Sequence, residues 1–467
     1  MEENGCAKGK QKIRPQLIAS IIINISVLSC GACYAYSMSN STKVPKQEKW
    51  ISLGVPLGAL IGPIASALLI DRISRKWFLY LTSIPFIACW VLAFVVKTWT
   101  LLLVGRLLAG VSVGAIFSVV PLYLGEIVET KIRGVVGTMI PVFFNIGFLL
   151  VQGVHAMKID PKILSIVCLA PTVVFMLTAI WLPESPYYYL KKKKEKHANL
   201  SLIWLRNTTD NKRELEEISE FVKTEEKEGL KELFTDCANR RALLLVLLLL
   251  AAQQLSGFLT IQSRLDHLLK EIPFKIRNAH VLLILTAVAI AIGILSSFVV
   301  DRIGRKPLFL VSGYVTGLCL CLLATYFLLS KKMNLSSFGW APLAIILVYY
   351  IFLSIGLAPI PAIVSSEIFS MKVRHWATMV TGICGAFLYI IVAQCYPLII
   401  DAGGYPVILY VFGVIELVIA TAAAVVMPET SRKSFKEIQD ILKKRSCKPK
   451  EKITEEHTKP EMITEEN

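Results

Sequence analysis

The sequence predicts an all-α membrane protein of twelve spanning helices built as two six-helix halves, and three observations predict it. The chain is 55% hydrophobic over 467 residues with a mean hydropathy of +0.60, more apolar than a globule with a water-facing surface can be. Its apolar residues fall in continuous runs of about 20, the length that crosses a bilayer core as a helix. The hexapeptide Asp71-Arg-Ile-Ser-Arg-Lys76 returns as Asp301-Arg-Ile-Gly-Arg-Lys306 about half a chain later. Each copy sits in a tight basic loop between two apolar runs, which marks an internal duplication.

In chain order the first six spans lie near 15–37, 50–70, 77–96, 100–124, 134–156 and 162–182. The second six lie near 241–269, 278–300, 307–329, 339–369, 376–400 and 404–427. Continuous rather than alternating apolarity makes these helices and not barrel strands, because lipid cannot satisfy open backbone amides. Pro85, Pro141, Pro171, Pro359 and Pro361 each remove a ladder hydrogen bond and mark bends. Pro359 and Pro361 beside Gly356 form the strongest break and are read as a hinge. The first half is therefore residues 1–182 and the second 241–430.

Between them, residues 183–240 carry Lys191 to Lys194 and then mixed charge, including Glu214, Glu217 and Lys223, in the pattern of short amphipathic helices. Residues 431–467 are Lys- and Glu-rich and are read as a largely disordered tail. An even span count puts both tails and the central segment on one side, and the basic first tail with the paired hexapeptides places that side in the cytoplasm, the short loops adding only a weak bias. The expected location is the plasma membrane. The first apolar stretch is long for a signal-peptide core and is read as an uncleaved span. Sequons at Asn40 and Asn334 fall in loops this topology places outside, although Asn199 and Asn207 match the same pattern inside.

The formal charge of +16 sits in loops and tails around apolar spans, so membrane topology explains it and nucleic acid is not expected as a partner. The eleven cysteines are scattered without the spacing of a metal site or a disulfide framework. No nucleotide-binding motif or catalytic constellation occurs, so no enzyme activity, metal or cofactor is expected. The expected partners are a small solute and membrane lipid, with the oligomeric state left open.

The hexapeptides pair an acid with arginines at helix ends, and further charges recur at comparable positions. Positive-inside retention accounts for the bases but not for the acid or the near-identical second copy. Asp71, Arg72, Arg75, Arg106, Glu126 and Arg133 in the first half and Asp301, Arg302, Arg305, Glu367 and Arg374 in the second are read as one cytoplasmic gate. Such a network closes in one conformation and breaks in the other. Gly304 fits a left-handed turn in the second copy, and Ser74 departs from it in the first.

These cassettes, with Gly105-Arg106, Pro121-Leu-Tyr-Leu-Gly-Glu126, Arg133-Gly134, Pro183-Glu-Ser-Pro186, Gln253-Gln-Leu-Ser-Gly257, Pro359-Ile-Pro361 with Glu367-Ile-Phe369, and Pro428-Glu-Thr430, resemble the sugar porter branch of the major facilitator superfamily through nearly the whole chain. Phe144-Asn-Ile-Gly147 resembles the insect facilitated trehalose transporter group in particular. The resemblance implies a major facilitator fold and facilitative transport of a sugar, trehalose or a hexose, by alternating access.

It also implies that Gln253 and Gln254 hold sugar hydroxyls, for which a primary amide offers donor and acceptor without a charge to desolvate. Helix-to-helix bonding is the competing reading of mid-membrane glutamines. Several positions depart from the family pattern: Pro141 stands where glutamine is frequent, Phe258-Leu259 replaces an asparagine-bearing sequence, and Ser263-Arg264 replaces two aromatics. Ala362 and Gly385-Ala386 stand where tryptophans are common. Asn145, Gln152, Thr260, Gln262, Tyr389 and Gln394 are the span-internal groups that could compensate, Asn145 first.

Proton-driven relatives carry an acid in span one, and Pro15 to Ser37 has none, which favours uniport. Glu416 is the one mid-span carboxylate, open to a proton role or to a helix contact. Two other readings stand beside sugar uniport: a non-transporting sugar sensor or binding protein, and a transporter of another small polyol or metabolite, with or without proton coupling.

Overall fold

The computed structural model describes residues 14–38, 48–95, 98–129, 131–157, 159–223, 229–270, 278–333, 338–369, 371–431, 433, 437–438 and 441–442. Among these the first half comprises α1 (Arg14–Met38), α2 (Glu48–Ile73), α3 (Arg75–Val95), α4 (Trp99–Ile127), α5 (Arg133–Ala156) and α6 (Pro161–Ala179). Four short helices follow: α7 (Pro186–Lys191), α8 (Glu195–Arg206), α9 (Lys212–Lys223) and α10 (Leu230–Thr235). The second half comprises α11 (Cys237–Leu255), α12 (Phe258–Lys270), α13 (Asn278–Ile303), α14 (Arg305–Ser330), α15 (Ala341–Phe352), a π-helical turn (Leu353–Leu357), α16 (Ile360–Ile368) and α17 (Met371–Val426).

Eleven of the described helical segments are long and apolar enough to cross a membrane, the last of them Val373–Val426 with 54 residues. At about 1.5 Å per residue that segment runs near 80 Å, against a hydrocarbon core of about 30 Å. It is two spans. They divide at Gly404, whose backbone leaves the helix at φ 77°, ψ −176°, so the expected twelve spans are present.

Two spans are broken rather than continuous. The run expected as a single helix over 241–269 splits between α11 and α12 at Ser256 and Gly257, where φ of Gly257 is +73° and the Phe412 ring lies where a Cβ would stand. The tenth span breaks where expected. Gly356 lies in the π-helical turn against the Leu308 carbonyl, and Pro359 and Pro361 open α16, where a proline needs no donor.

Buried side chains form two cores, one almost entirely from α1 to α6 and the other from residue 233 onward. Ile438 and Leu442, assigned to the disordered tail from sequence, are buried in the second core. Four residues apart, they present one apolar helical face. Residues 443–467 of the tail, like Asn40 and Asn334, lie outside the described residues.

Packing inside the first half depends on small residues. Gly58 of α2 and Gly110 of α4 lie against each other's backbones, the Leu107 and Val55 carbonyls occupying the space a side chain would need. Gly58→Val is expected to force these helices apart and destabilise the protein by about 1–3 kcal/mol, read as a lower unfolding temperature in detergent. The halves meet chiefly through α5 against α13 and α2 against α17.

Candidate functional site

The duplicated hexapeptides build two equivalent junctions on one face of the bundle. In the first, α2 ends at Ile73, Ser74 takes φ 92° and α3 starts at Arg75. In the second, Gly304 takes φ 102° between α13 and α14. The expected left-handed turn at Gly304 is therefore matched by Ser74, which pays the side-chain strain and holds it by donating its hydroxyl to Glu184 Oε2 at 2.6 Å.

Glu184 and Glu429 are the equivalent groups that sequence reading left without a role. Glu184 accepts from the Lys76 and Ser185 amides at 3.3 and 3.0 Å. Glu429 accepts from the Arg305 and Lys306 amides, both at 3.0 Å. Each carboxylate thus caps the N-terminus of the helix after the hexapeptide, where orphan amides and the helix dipole favour an anion. Burial pushes the Glu184 carboxyl above its usual range, and the Ser74 hydroxyl, the Ser185 amide and the Arg75 cation oppose this. The signal was the repeat itself, Pro-Glu-Ser at 183–185 and Pro-Glu-Thr at 428–430. Glu429→Ala is expected to cost about 1–2 kcal/mol through the lost cap, measured by thermal unfolding.

Each junction carries an acid–arginine–acid relay. Arg75 meets Glu126 through Nε at 3.1 Å and Nη2 at 3.1 Å, and lies 3.8 Å from Asp71. Arg305 meets Glu367 at 2.9 Å and Asp301 at 2.8 Å, and Thr430 donates to the other Glu367 oxygen at 2.8 Å. The Arg75–Glu126 and Arg305–Glu367 pairs are buried, so removing one partner strands a charge away from water. Asp71 also reaches Lys191 of α7 at 2.9 Å.

The remaining expected gate residues divide. Arg133 donates to the Gly125 carbonyl at 3.4 Å, and Arg374 to the Phe369 carbonyl at 3.0 Å. Arg374 packs over Gly125, and the Asp301 carboxylate fills the space of a Cβ on Gly134, so both contacts cross between the halves. The residual gap, lined by Gly125, Arg133, Gly137, Ala362 and Ser366 among others, is about 10 Å³. That is barely room for one water. The two halves are packed closely against each other here.

Arg72 and Arg302 are exposed and form no ion pair among the described residues. Arg106 corrects the sequence reading. It lies near the start of α4, twenty residues or about 30 Å of helix before Glu126. Its guanidinium sits over the Tyr36 ring and donates to the Ser37 carbonyl at the other end of the bundle. Proximity to a helix end does not say which end.

The expected sugar-binding residues lie deeper. Gln253 donates to the Ala358 carbonyl at 2.9 Å, tying the break in the seventh span to that in the tenth. Gln254 is half-buried and makes no protein hydrogen bond among the described residues. Among the described residues Gln262 is buried with both amide atoms unpartnered, while Asn145 donates to the Pro141 carbonyl and keeps its oxygen unpartnered. Thr260 is buried beside Leu259, which packs against the first core, so this stretch of α12 lies at the seam between the halves.

Gln152 accepts from Thr286 at 2.8 Å, joining α5 to α13, and Gln394 is exposed. The side chains of Ser263 and Arg264 lie outside the described residues. Aromatic surface at the seam comes from Tyr34, Phe144 and Tyr389, with Tyr34 edge-on to the other two at 5.8 and 5.7 Å. Tyr34 was missed because a tyrosine in an apolar run, here with Tyr36 close by, reads as packing. Among the described residues no cluster of ligating side chains could hold a metal ion.

A family model described as sugar (and other) transporter matches residues 19–442. The chain belongs to this sugar transporter family. The transporter is 31% identical to a facilitated trehalose transporter of Polypedilum vanderplanki, over 91% of this chain and 88% of that one. It is 33% identical to human solute carrier family 2, facilitated glucose transporter member 7, over 84% of this chain and 78% of that one. Its fold matches a major facilitator superfamily proton:xylose symporter bound to 6-bromo-6-deoxy-D-glucose, with a TM-score of 0.82, 17% identity, and coverage of 92% and 99% of the two chains. An inward-open xylose transporter from E. coli aligns with a TM-score of 0.71, 16% identity, and coverage of 91% and 99%. The transporter is thus a multi-pass membrane protein of the twelve-helix major facilitator fold and not an enzyme.

Proposed function

We propose that the transporter carries trehalose or a hexose downhill across the plasma membrane as a uniporter, with both termini and the gate face in the cytoplasm. The observation that carries this reading is the pairing of a closed face between the halves with unused amides on either side of the break in the seventh span: Gln254 and Gln262 have no protein hydrogen-bond partner among the described residues. A sugar hydroxyl would satisfy them. Gln253, Asn145 and Thr260 extend this polar set, Gln152 serves the joint between α5 and α13, and Tyr34 and Tyr389 offer ring faces to sugar C–H groups.

In the proposed cycle the Asp301–Gly134 and Arg374–Gly125 contacts open while each half keeps its own arginine relay. Gly356, Pro359 and Pro361 bend the tenth span as this happens. Uniport is supported by α1, which carries no acidic residue, and by the two relatives named as facilitators.

A second reading, proton-coupled transport, is favoured by Glu416, which is fully buried with both oxygens unpartnered among the described residues. Initial sugar uptake into proteoliposomes, with and without an imposed proton gradient, separates the two. Uniport predicts equal rates and no accumulation above the outside concentration. Gradient-driven accumulation that disappears in Glu416→Gln would establish the second reading.

A further inference from the structure

We propose that the gate face carries a binding site for one anionic phospholipid, seated between the first turn of α3 and α8. A cavity of about 460 Å³ lies there, lined by Lys76, Trp77, Tyr188, His197 and Trp204 among others, within the size range of small-molecule sites. No part of the transport cycle described above uses it.

Two observations identify the occupant. The first is charge. Residues 191–196 place five lysines and one glutamate at the rim, all exposed, and among the described residues only Lys191 is committed to an ion pair, with Asp71. The Lys192 ammonium lies 5.9 Å from the Tyr188 ring, on the cavity wall. Lys76 donates to the Ile180 carbonyl at 2.7 Å and lies 5.5 Å from the Trp77 ring, keeping a cation at the wall. The acid in the lining, Glu184, is already occupied by Ser74 and the Lys76 and Ser185 amides. The net field at the rim attracts an anion.

The second observation is the apolar surface leading into the cavity. Trp77 is 51% exposed and begins a stripe on α3 that continues through exposed Leu81 and Ile84, spaced to face lipid. Exposed Ile180 and Trp181 end the neighbouring lipid-facing stripe after α6. On α8, Leu200 and Trp204 are 63% and 39% exposed, whereas Ala198, Leu202 and Leu205 of the same helix are buried. Tryptophans at this level mark the membrane interface. A soluble phosphate would satisfy the lysines but leave this surface bare. A phospholipid places its phosphate among the cations and its chains along the stripes.

The test uses full-length protein in phosphatidylcholine vesicles containing an equal small fraction of chain-brominated phosphatidylserine or chain-brominated phosphatidylcholine. Quenching of tryptophan fluorescence reports contact. The site predicts stronger quenching by the brominated phosphatidylserine. Replacing the cavity lysine, as in Lys76→Gln, lowers that preference by about fivefold while the rim lysines remain. Leu200→Glu, which blocks chain entry from α8 and keeps every tryptophan, is the second variant, and thermal unfolding verifies that both are folded. Equal quenching by the two lipids would overturn the proposal. So would a phosphatidylserine preference that survives both variants, since that is general surface attraction. Neither readout depends on sugar flux, so failure here is distinct from failure of the transport reading.

Discussion

Alanine at Gln254 weakens sugar binding roughly tenfold, and the double replacement of Gln253 and Gln254 weakens it on the order of a hundredfold, each hydroxyl contact contributing about 1–1.5 kcal/mol. The two residues should differ in kind. Gln254 has no protein hydrogen bond among the described residues, so its loss removes ligand contact and leaves unfolding temperature unchanged. Gln253 holds the Ala358 carbonyl at 2.9 Å, and its loss also loosens the join between the two broken spans. Isothermal titration with trehalose and glucose, paired with thermal unfolding, separates these effects. Unchanged affinity in the double variant would place the pocket elsewhere.

Gly134→Val prevents the gate face from closing. A side chain there would enter the Asp301 carboxylate, and overpacking of this kind costs about 1–3 kcal/mol. Because the contact exists only where the halves meet, that cost falls on the closed-gate state alone. It shifts the balance toward the open gate by about one to two powers of ten. The expected readout is faster labelling of a cysteine placed at Ser366, which lines the closed gap, by a membrane-impermeant thiol reagent in a background lacking native cysteines. Sugar exchange should slow in parallel. Labelling as slow as in the parent would mean that the gate closes by other contacts.

The spans and the duplication were legible because hydrocarbon imposes a length and because both copies of the hexapeptide survive in the chain. Breaks were legible where proline announced them, at Pro359 and Pro361. They were hidden at Ser256 and Gly257, where the signal is a single backbone angle that lets Phe412 approach.

Within the gate, Arg75, Glu126, Arg305 and Glu367 could be grouped from their symmetry, since each pair repeats between halves. Arg106 could not be placed, because a charge near a span end satisfies the same pattern on either face. The caps Glu184 and Glu429 were visible as a repeat without a meaning. Their role depends on which helix N-terminus folds back onto them, a tertiary fact. The amides of the seam remain the least legible part, since a glutamine in an apolar helix has the same sequence signature whether it binds a neighbour, as Gln152 does, or waits unpaired, as Gln262 does.

The central claim is that these two halves pass a sugar between them across the membrane. Equilibrium exchange of radiolabelled trehalose and glucose in proteoliposomes, at equal sugar concentration and equal pH on both sides, tests it most directly. The account predicts saturable exchange of at least one of the two sugars that depends on Gln254. Binding of a sugar without exchange above protein-free vesicles would contradict it and leave a sensor in place of a transporter.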